Sequence, residues 1–320
     1  MYLDNLIGNT PMIKINYSYK NKLQHLYAKL EYFNLTGSIK DRMAYYIIKN
    51  ALCCNKLKKG QPIIEATSGN TGISFSAIGA YLGCPVHIFM PDWLSIERQK
   101  ILSMYGANLH LISKQDGGFK RCIKEADLLS SQINGFRPNQ FANNDNLLSH
   151  YNSTGVEIYQ KLPHINIFVS GIGTGGTLMG IGKYLKEQND TIKIHALEPS
   201  TLAILSFGIS CGSHEIEGIG DDFVPDIIDR DLIDDIILIS DSDAINMSKL
   251  LARKLGLGVG ISSGANFLAS VLSNKSDNQC VATVFPDDNK KYLSTKLSGP
   301  LDTSSLFVSN KIKLIDFEVV

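Results

Sequence analysis

Residues 165–187 read I-N-I-F-V-S-G-I-G-T-G-G-T-L-M-G-I-G-K-Y-L-K-E. A short run of largely apolar and β-branched residues ends at Ser170 and enters a glycine-rich turn. From Thr177 the apolar positions recur at helical spacing. A strand apolar on both faces and followed at once by a helix belongs in a parallel sheet covered on both sides. Working outward, the same unit recurs. Strands are expected at 26–30, 62–66, 86–90, 108–112, 165–170, 192–197, 236–239 and 280–285. Helical patterns lie at 39–54, 71–82, 96–105, 119–133, 177–187, 244–255 and 264–272. The class is therefore α/β, with right-handed crossovers.

The chain has 320 residues, 44% of them hydrophobic, enough for about two domains. A boundary falls near 143–147. Residues 206–235 are rich in glycine and acids with weak periodicity, the signature of a functional loop. The apolar stretch 314–320 suits an edge strand, a dimer contact or neither. Lys+Arg and Asp+Glu both number 31, so charge gives no reason to expect nucleic acid or an anionic membrane as partner. The first residues, M-Y-L-D-N-L-I-G-N-T-P, lack the basic and apolar regions of a signal peptide, and no run approaches a membrane span. A soluble, cytoplasmic protein is expected. The six cysteines (Cys53, Cys54, Cys84, Cys122, Cys211, Cys280) form no C-x-x-C pair and read as reduced thiols. The seven histidines show no ligand spacing, so no metal is expected.

Ligands of open parallel sheets sit beyond the carboxyl ends of strands. Three loops there carry unusual chemistry. In N-L-T-G-S-I-K-D-R (34–42), Thr36 or Ser38 can cap the following helix, leaving Lys40 in its first turn. There the helix dipole disfavours a cation and lowers the amine pKa, as imine formation requires. A solvated surface lysine is the plain alternative. In T-S-G-N-T-G (67–72), hydroxyls, an amide and free backbone N–H groups at a helix N-terminus suit a carboxylate. A simple capped turn would look the same. In S-G-I-G-T-G-G-T (170–177), successive backbone N–H groups can wrap a phosphate. Gly171, Gly173 and Gly176 also satisfy G-x-G-x-x-G, with Glu198 placed like a ribose-binding acid. A nicotinamide-dependent oxidoreductase is thus the rival reading. It leaves the first two loops unexplained.

With these loops in this order, the chain resembles the cysteine synthase/cystathionine β-synthase family of fold-type II pyridoxal-phosphate enzymes, from about residue 6 to residue 298. The markers are I-G-N-T-P (7–11), G-S-I-K-D-R (37–42), T-S-G-N-T-G (67–72), S-I-E-R-Q-K (95–100), G-T-G-G-T (173–177), E-G-I-G (217–220), S-S-G-A (262–265) and K-Y-L-S (291–294). The resemblance implies two open, mostly parallel three-layer α/β domains of the tryptophan synthase β-like kind. Residues 1–145 would form the smaller one, with residues 1–35 able to pack on the other. Residues 146–300 would form the larger domain and 301–320 a tail. It implies pyridoxal 5′-phosphate as cofactor, carried by Lys40 as a Schiff base, with Lys40 later acting as base on Cα. Gly173, Thr174, Gly175, Gly176 and Thr177 would hold the phosphate. Asn70 would face the phenolic oxygen and Ser262 the pyridine nitrogen. Thr67, Ser68, Asn70, Thr71 and Gln140 would surround the substrate carboxylate, with Gly220 close to the substrate. A serine cannot protonate the ring as a carboxylate would, so prompt loss of the β-substituent is favoured over a full carbanion.

The implied reaction is cysteine formation from O-acetylserine and sulfide through an α-aminoacrylate. The alternatives are cystathionine formation, cysteine breakdown with sulfide release, or an inactive binding homologue. The implied partners are an amino-acid substrate with sulfide or a thiol, a second copy in a homodimer, and serine acetyltransferase. Two departures stand out. Leu35 follows Asn34 where the family usually has proline. Asp222 stands in G-I-G-D-D-F-V-P (218–225) where simple cysteine synthases carry a small residue, and is expected to serve as a general base that tunes substrate choice. No room is expected for a regulatory tandem after Ser298 or a haem-binding extension before Ile7.

Overall fold

The computed structural model describes residues 2–210, 212–276 and 279–320, so Cys211 lies outside the described residues. In chain order the elements are β1 (Met12–Tyr19), β2 (Lys22–Leu30), α1 (Lys40–Cys53), β3 (Ile63–Ala66), α2 (Asn70–Leu82), β4 (Val86–Pro91), α3 (Ile96–Met104), β5 (Asn108–Ile112) and α4 (Gly118–Gln132). There follow α5 (Asn144–Ser149), a π-helical turn (His150–Thr154), α6 (Gly155–Lys161), β6 (Ile167–Gly171), α7 (Gly176–Gln188), β7 (Lys193–Pro199) and α8 (Ile204–Phe207). The chain ends with β8 (Asp235–Ile239), α9 (Asp241–Leu255), α10 (Ile261–Ser273), β9 (Val281–Phe285) and β10 (Ile312–Val319).

A seven-stranded sheet runs β10-β1-β2-β9-β6-β7-β8, and a three-stranded sheet runs β3-β4-β5. Every pairing from β2 to β8 across the large sheet is parallel, as is the whole small sheet. The α/β class with parallel sheets is as expected. Alternate side chains of β6 build the layers. Ile167 and Val169 join a core with α9 and α10, whereas Phe168 joins a core with α7 on the other face. Helix α10 is buried at every position except Leu272, which explains its near-continuous apolar sequence.

The antiparallel edge differs from the expectation of a lone strand at 26–30. β1 and β2 form a hairpin with Met12 opposite Lys29 and Ile15 opposite Leu26. It turns through Lys20 and Asn21, whose φ values of 51° and 61° match the mirror-image turns that suit strand twist. β10 covers the outer edge of β1, pairing Phe317 with Ile15. The polar segment 144–161 also folds, as α5, the π-turn and α6. No helix among the described residues is long and apolar enough to cross a membrane.

Candidate active site

The carboxyl ends of β2, β3, β6 and β9 converge on one hollow. Helix α1 starts at Lys40 itself, with Ile39 in the capping position. Ser38 Oγ accepts from Lys40 N at 3.3 Å. Thr36 instead donates from N and Oγ1 to Asp41, at 2.7 and 2.6 Å, and so shapes the loop rather than the helix end. Lys40 lines two adjoining hollows together with Asn70, Gly173 and Thr174. Its amine pKa lies below the usual lysine value, first because of burial, with the charges of Asp287 and Asp221 opposing. Desolvation, and not the helix dipole expected from the sequence, is thus the main cause that lowers this amine.

Thr67, Ser68, Asn70, Thr71 and Gln140 line the inner hollow beside Lys40. Gln140 is fixed at both ends. Its Oε1 accepts from Thr71 Oγ1 at 2.7 Å and its Nε2 donates to the Ala66 carbonyl at 3.0 Å. Its backbone N–H donates to Glu65 Oε2 at 3.2 Å. Glu65 is fully buried and paired with Arg137, so a buried ion pair anchors the segment that carries Gln140. Asn70 opens α2, donates from Nδ2 to Asp287 at 2.7 Å, and keeps a buried Oδ1 without a hydrogen-bond partner among the described residues.

The loop 173–177 feeds the N-terminus of α7, where backbone N–H groups lack intrahelical partners. Gly175 has φ +88°, a conformation side chains rarely adopt. A Cβ on Gly173 would meet the Gly218 carbonyl at 2.3 Å. Gly173, Thr174, Gly175 and Thr177 face the hollow, while Gly176 packs against Asn146. Asn146 Nδ2 donates to Thr174 Oγ1 at 2.9 Å, and His150, in the π-turn, lies 3.3 Å from Thr177 Oγ1. Ser262, in the first turn of α10, faces the same hollow. Glu198 is occupied elsewhere: it accepts from Leu205 N at 2.7 Å and from Ser206 N and Oγ at 3.0 and 2.8 Å. It caps α8 and is not free to hold a ribose.

The two acids of the glycine-rich loop part company. Asp222 pairs with Lys120 at 3.0 Å, its side chain is 42% exposed, and it lines an outer cavity of about 470 Å³ with Trp93, Lys114, His214 and Gly220. Asp221 lines both that cavity and the inner hollow. Its pKa is pushed up to about 6, by burial first and then by the charge of Asp222, with Lys40 opposing. Asp221 therefore shares the inner hollow with Lys40, whereas Asp222, the acid singled out from sequence, lines the outer cavity. Arg98 lines the inner hollow and pairs with Glu217, which lines the adjoining hollow and the outer cavity; both lie in motifs quoted above, S-I-E-R-Q-K and E-G-I-G, to which no individual role was attached.

A model of the family described as "Pyridoxal-phosphate dependent enzyme" matches residues 3–287. Cysteine synthase B of Campylobacter jejuni is 43% identical over 295 residues, 91% of this chain and 96% of that protein. A cysteine synthase of Staphylococcus aureus is 38% identical over 296 residues, 91% of this chain and 95% of that protein. The crystal structure of a hydrogen sulfide-producing enzyme from Fusobacterium nucleatum superposes with a TM-score of 0.96 at 46% identity, covering 100% of this chain and 98% of that one.

The residues fit pyridoxal phosphate. Lys40 supplies an amine that burial keeps less basic, and Asn70 Oδ1 is an orphaned polar atom at the same wall. The glycines of the α7 loop leave a cradle that a side chain would fill.

Proposed function

Because the chain belongs to the pyridoxal-phosphate dependent enzymes and is cysteine synthase-like, we propose that it replaces the β-substituent of a small L-amino acid, and that L-cysteine is the favoured substrate, losing hydrosulfide. The cofactor, when bound, withdraws electrons from Cα. Lys40 would hold it and later move the Cα proton. Gly173, Thr174, Gly175, Gly176 and Thr177 would hold its phosphate, Asn70 would face its phenolic oxygen, and Ser262 its ring nitrogen. Thr67, Ser68, Asn70, Thr71 and Gln140 would bind the substrate carboxylate.

The observation that carries the choice of substrate is Asp221, a half-buried carboxyl with a pKa of about 6 in the wall shared by both cavities. An acid so tuned can take a proton from a neutral nucleophile entering from the outer cavity. Water or a thiol needs that help. Hydrosulfide arrives already charged and would be repelled by the carboxylate. With water, the Cβ–S bond of cysteine breaks, a Cβ–O bond forms, and serine and hydrogen sulfide are released. Asp222 would act through Asp221, by raising its pKa, and Gly220 would shape the loop carrying both.

Cysteine synthesis from O-acetylserine and sulfide is the second reading, favoured by the identity to two cysteine synthases. The enzyme loaded with pyridoxal phosphate should release sulfide from cysteine alone and yield serine, or a thioether when homocysteine is added. Mass spectrometry of products with cysteine, serine and O-acetylserine decides. Rapid cysteine formation from O-acetylserine and sulfide, with no sulfide from cysteine, would overturn the preferred direction.

A homodimer is supported by β10, an edge strand that leaves Ile315, Phe317 and Val319 exposed. Light scattering should give twice the chain mass. A cytoplasmic setting is supported by the five described thiols, all free.

A further inference from the structure

The loop that leaves β9 touches three of the four segments that carry a predicted cofactor contact, those of Lys40, Asn70 and Ser262, although sequence marked it only through K-Y-L-S. The Pro286 carbonyl accepts from Ile39 N at 2.8 Å, directly before Lys40. Asp287 bridges Ser38, and its carbonyl accepts from Gly260 N at 3.0 Å, two residues before Ser262. Its side chain reaches Asn70. Three loops far apart in sequence are thus tied to one short segment.

Asp287 itself is 1% exposed. Its Oδ2 accepts from Asn70 Nδ2 at 2.7 Å and from Tyr292 Oη at 2.8 Å, with Arg98 Nη2 at 3.9 Å. Its Oδ1 has no hydrogen-bond partner among the described residues and abuts Gly260, where a Cβ would approach it to 2.0 Å. A buried carboxylate with an oxygen left unpaired is costly. An ionised carboxylate can only accept, so it decides which end of the Asn70 amide faces it. The nitrogen must turn toward Asp287. The second amide N–H and the orphaned Oδ1 are what remain for a ligand. If Asp287 were lost, the amide could turn over and present its oxygen to an anionic oxygen of the ligand.

We propose that Asp287 is the positioning residue for Asn70, locking its amide so that an N–H is presented to the phenolic oxygen of pyridoxal phosphate. This rests on the cofactor contact assigned to Asn70 under the proposed function. Arg98, over the Tyr292 ring at 4.5 Å, braces the same carboxylate.

A double-mutant cycle tests it, read by titrating pyridoxal phosphate into the apoprotein and by the visible imine absorption across pH. Asp287→Ala should weaken cofactor binding about ten- to hundredfold, as expected for losing a charge-assisted hydrogen bond. It should also move the pH at which the imine band changes. In an Asn70→Ala background the same change should cost less than about threefold, because the residue it positions is gone. Equal fold-losses in both backgrounds would overturn the assignment, as would normal binding by Asn70→Ala alone. Asp287→Asn, cycled the same way, serves if the alanine variant fails to fold. Its retained acceptor oxygen should keep binding within about threefold of wild type while still shifting the pH at which the imine band changes, and a tenfold or greater loss that persists in the Asn70→Ala background would be equally fatal. A wild-type protein that forms no imine would instead remove the proposed function, which separates the two failures.

Discussion

Replacing Asp221 with asparagine should make the protein more stable at neutral pH while removing its sulfide release. Its pKa is pushed up to about 6 in the folded protein, against 3.8 for a free aspartate carboxyl. The folded state therefore holds this proton more tightly than the unfolded chain does. Stability contributed by the site is full below about pH 4 and falls as pH rises toward 6. At 1.36 kcal/mol per pH unit the cost at neutrality has an upper value of about 3 kcal/mol. Asp221 is half-buried, and screening at its open side reduces this to about 1–2 kcal/mol. Asp221→Asn keeps the shape and deletes the charge that Asp222 repels. Its apoprotein should melt roughly 2–5 °C above wild type at pH 7.5. The gap should close near pH 4. Sulfide release from cysteine should drop by about 10²–10⁴-fold, the usual worth of a positioned base, and the activity limb near pH 6 should vanish. Calorimetry at the two pH values and a pH–rate profile are sufficient. A variant less stable than wild type at pH 7.5, or one that keeps the limb, would show that Asp221 is neither strained nor the base.

Asp222→Ala should move that limb to lower pH with little loss of kcat, since Asp222 raises the Asp221 pKa and its pair with Lys120 is exposed. A collapse of kcat would return the base role to Asp222. Arg42→Met should destabilise by about 3–5 kcal/mol in urea, because fully buried Glu31 loses contacts at 2.6 and 2.9 Å; a midpoint within error of wild type would contradict it. Lys40→Ala should lose both turnover and the imine absorption while phosphate contacts still permit cofactor binding, and full activity without added amine would exclude the Schiff-base role. Ser262→Asp should protonate the ring nitrogen and add transamination products. An unchanged spectrum and product mixture would place Ser262 away from that nitrogen.

The parallel strands and their helices were legible because each is decided locally. A run such as that ending at Ser170 is apolar on both faces, and the following helix starts within a few residues. β1 was missed for a related reason. Its buried and half-buried positions alternate through M-I-K-I-N-Y-S-Y, and its turn is Lys20-Asn21 rather than a glycine-bearing pair. The segment 144–161 carries few strong helix formers and is held by contacts with α7 and α1, which no local pattern reports.

The site divides along the same line. That Lys40, residues 67–72 and the glycine-rich loop would meet at one hollow was readable because each is a strand-to-helix junction. Which of two adjacent acids faces inward was not. The loop that holds them has no period from which to count faces, and the backbone bends just before them at Gly220, with φ +73°. Asp287 lay further still from view. Its partner Asn70 is 217 positions away, and an aspartate after a strand gives no sign that it will meet an amide from the other sheet. The groups proposed to do the chemistry can be read from local motifs because helix ends and glycine turns are local. The groups that orient them are set by where two sheets meet, and that becomes visible only once the strands are in register.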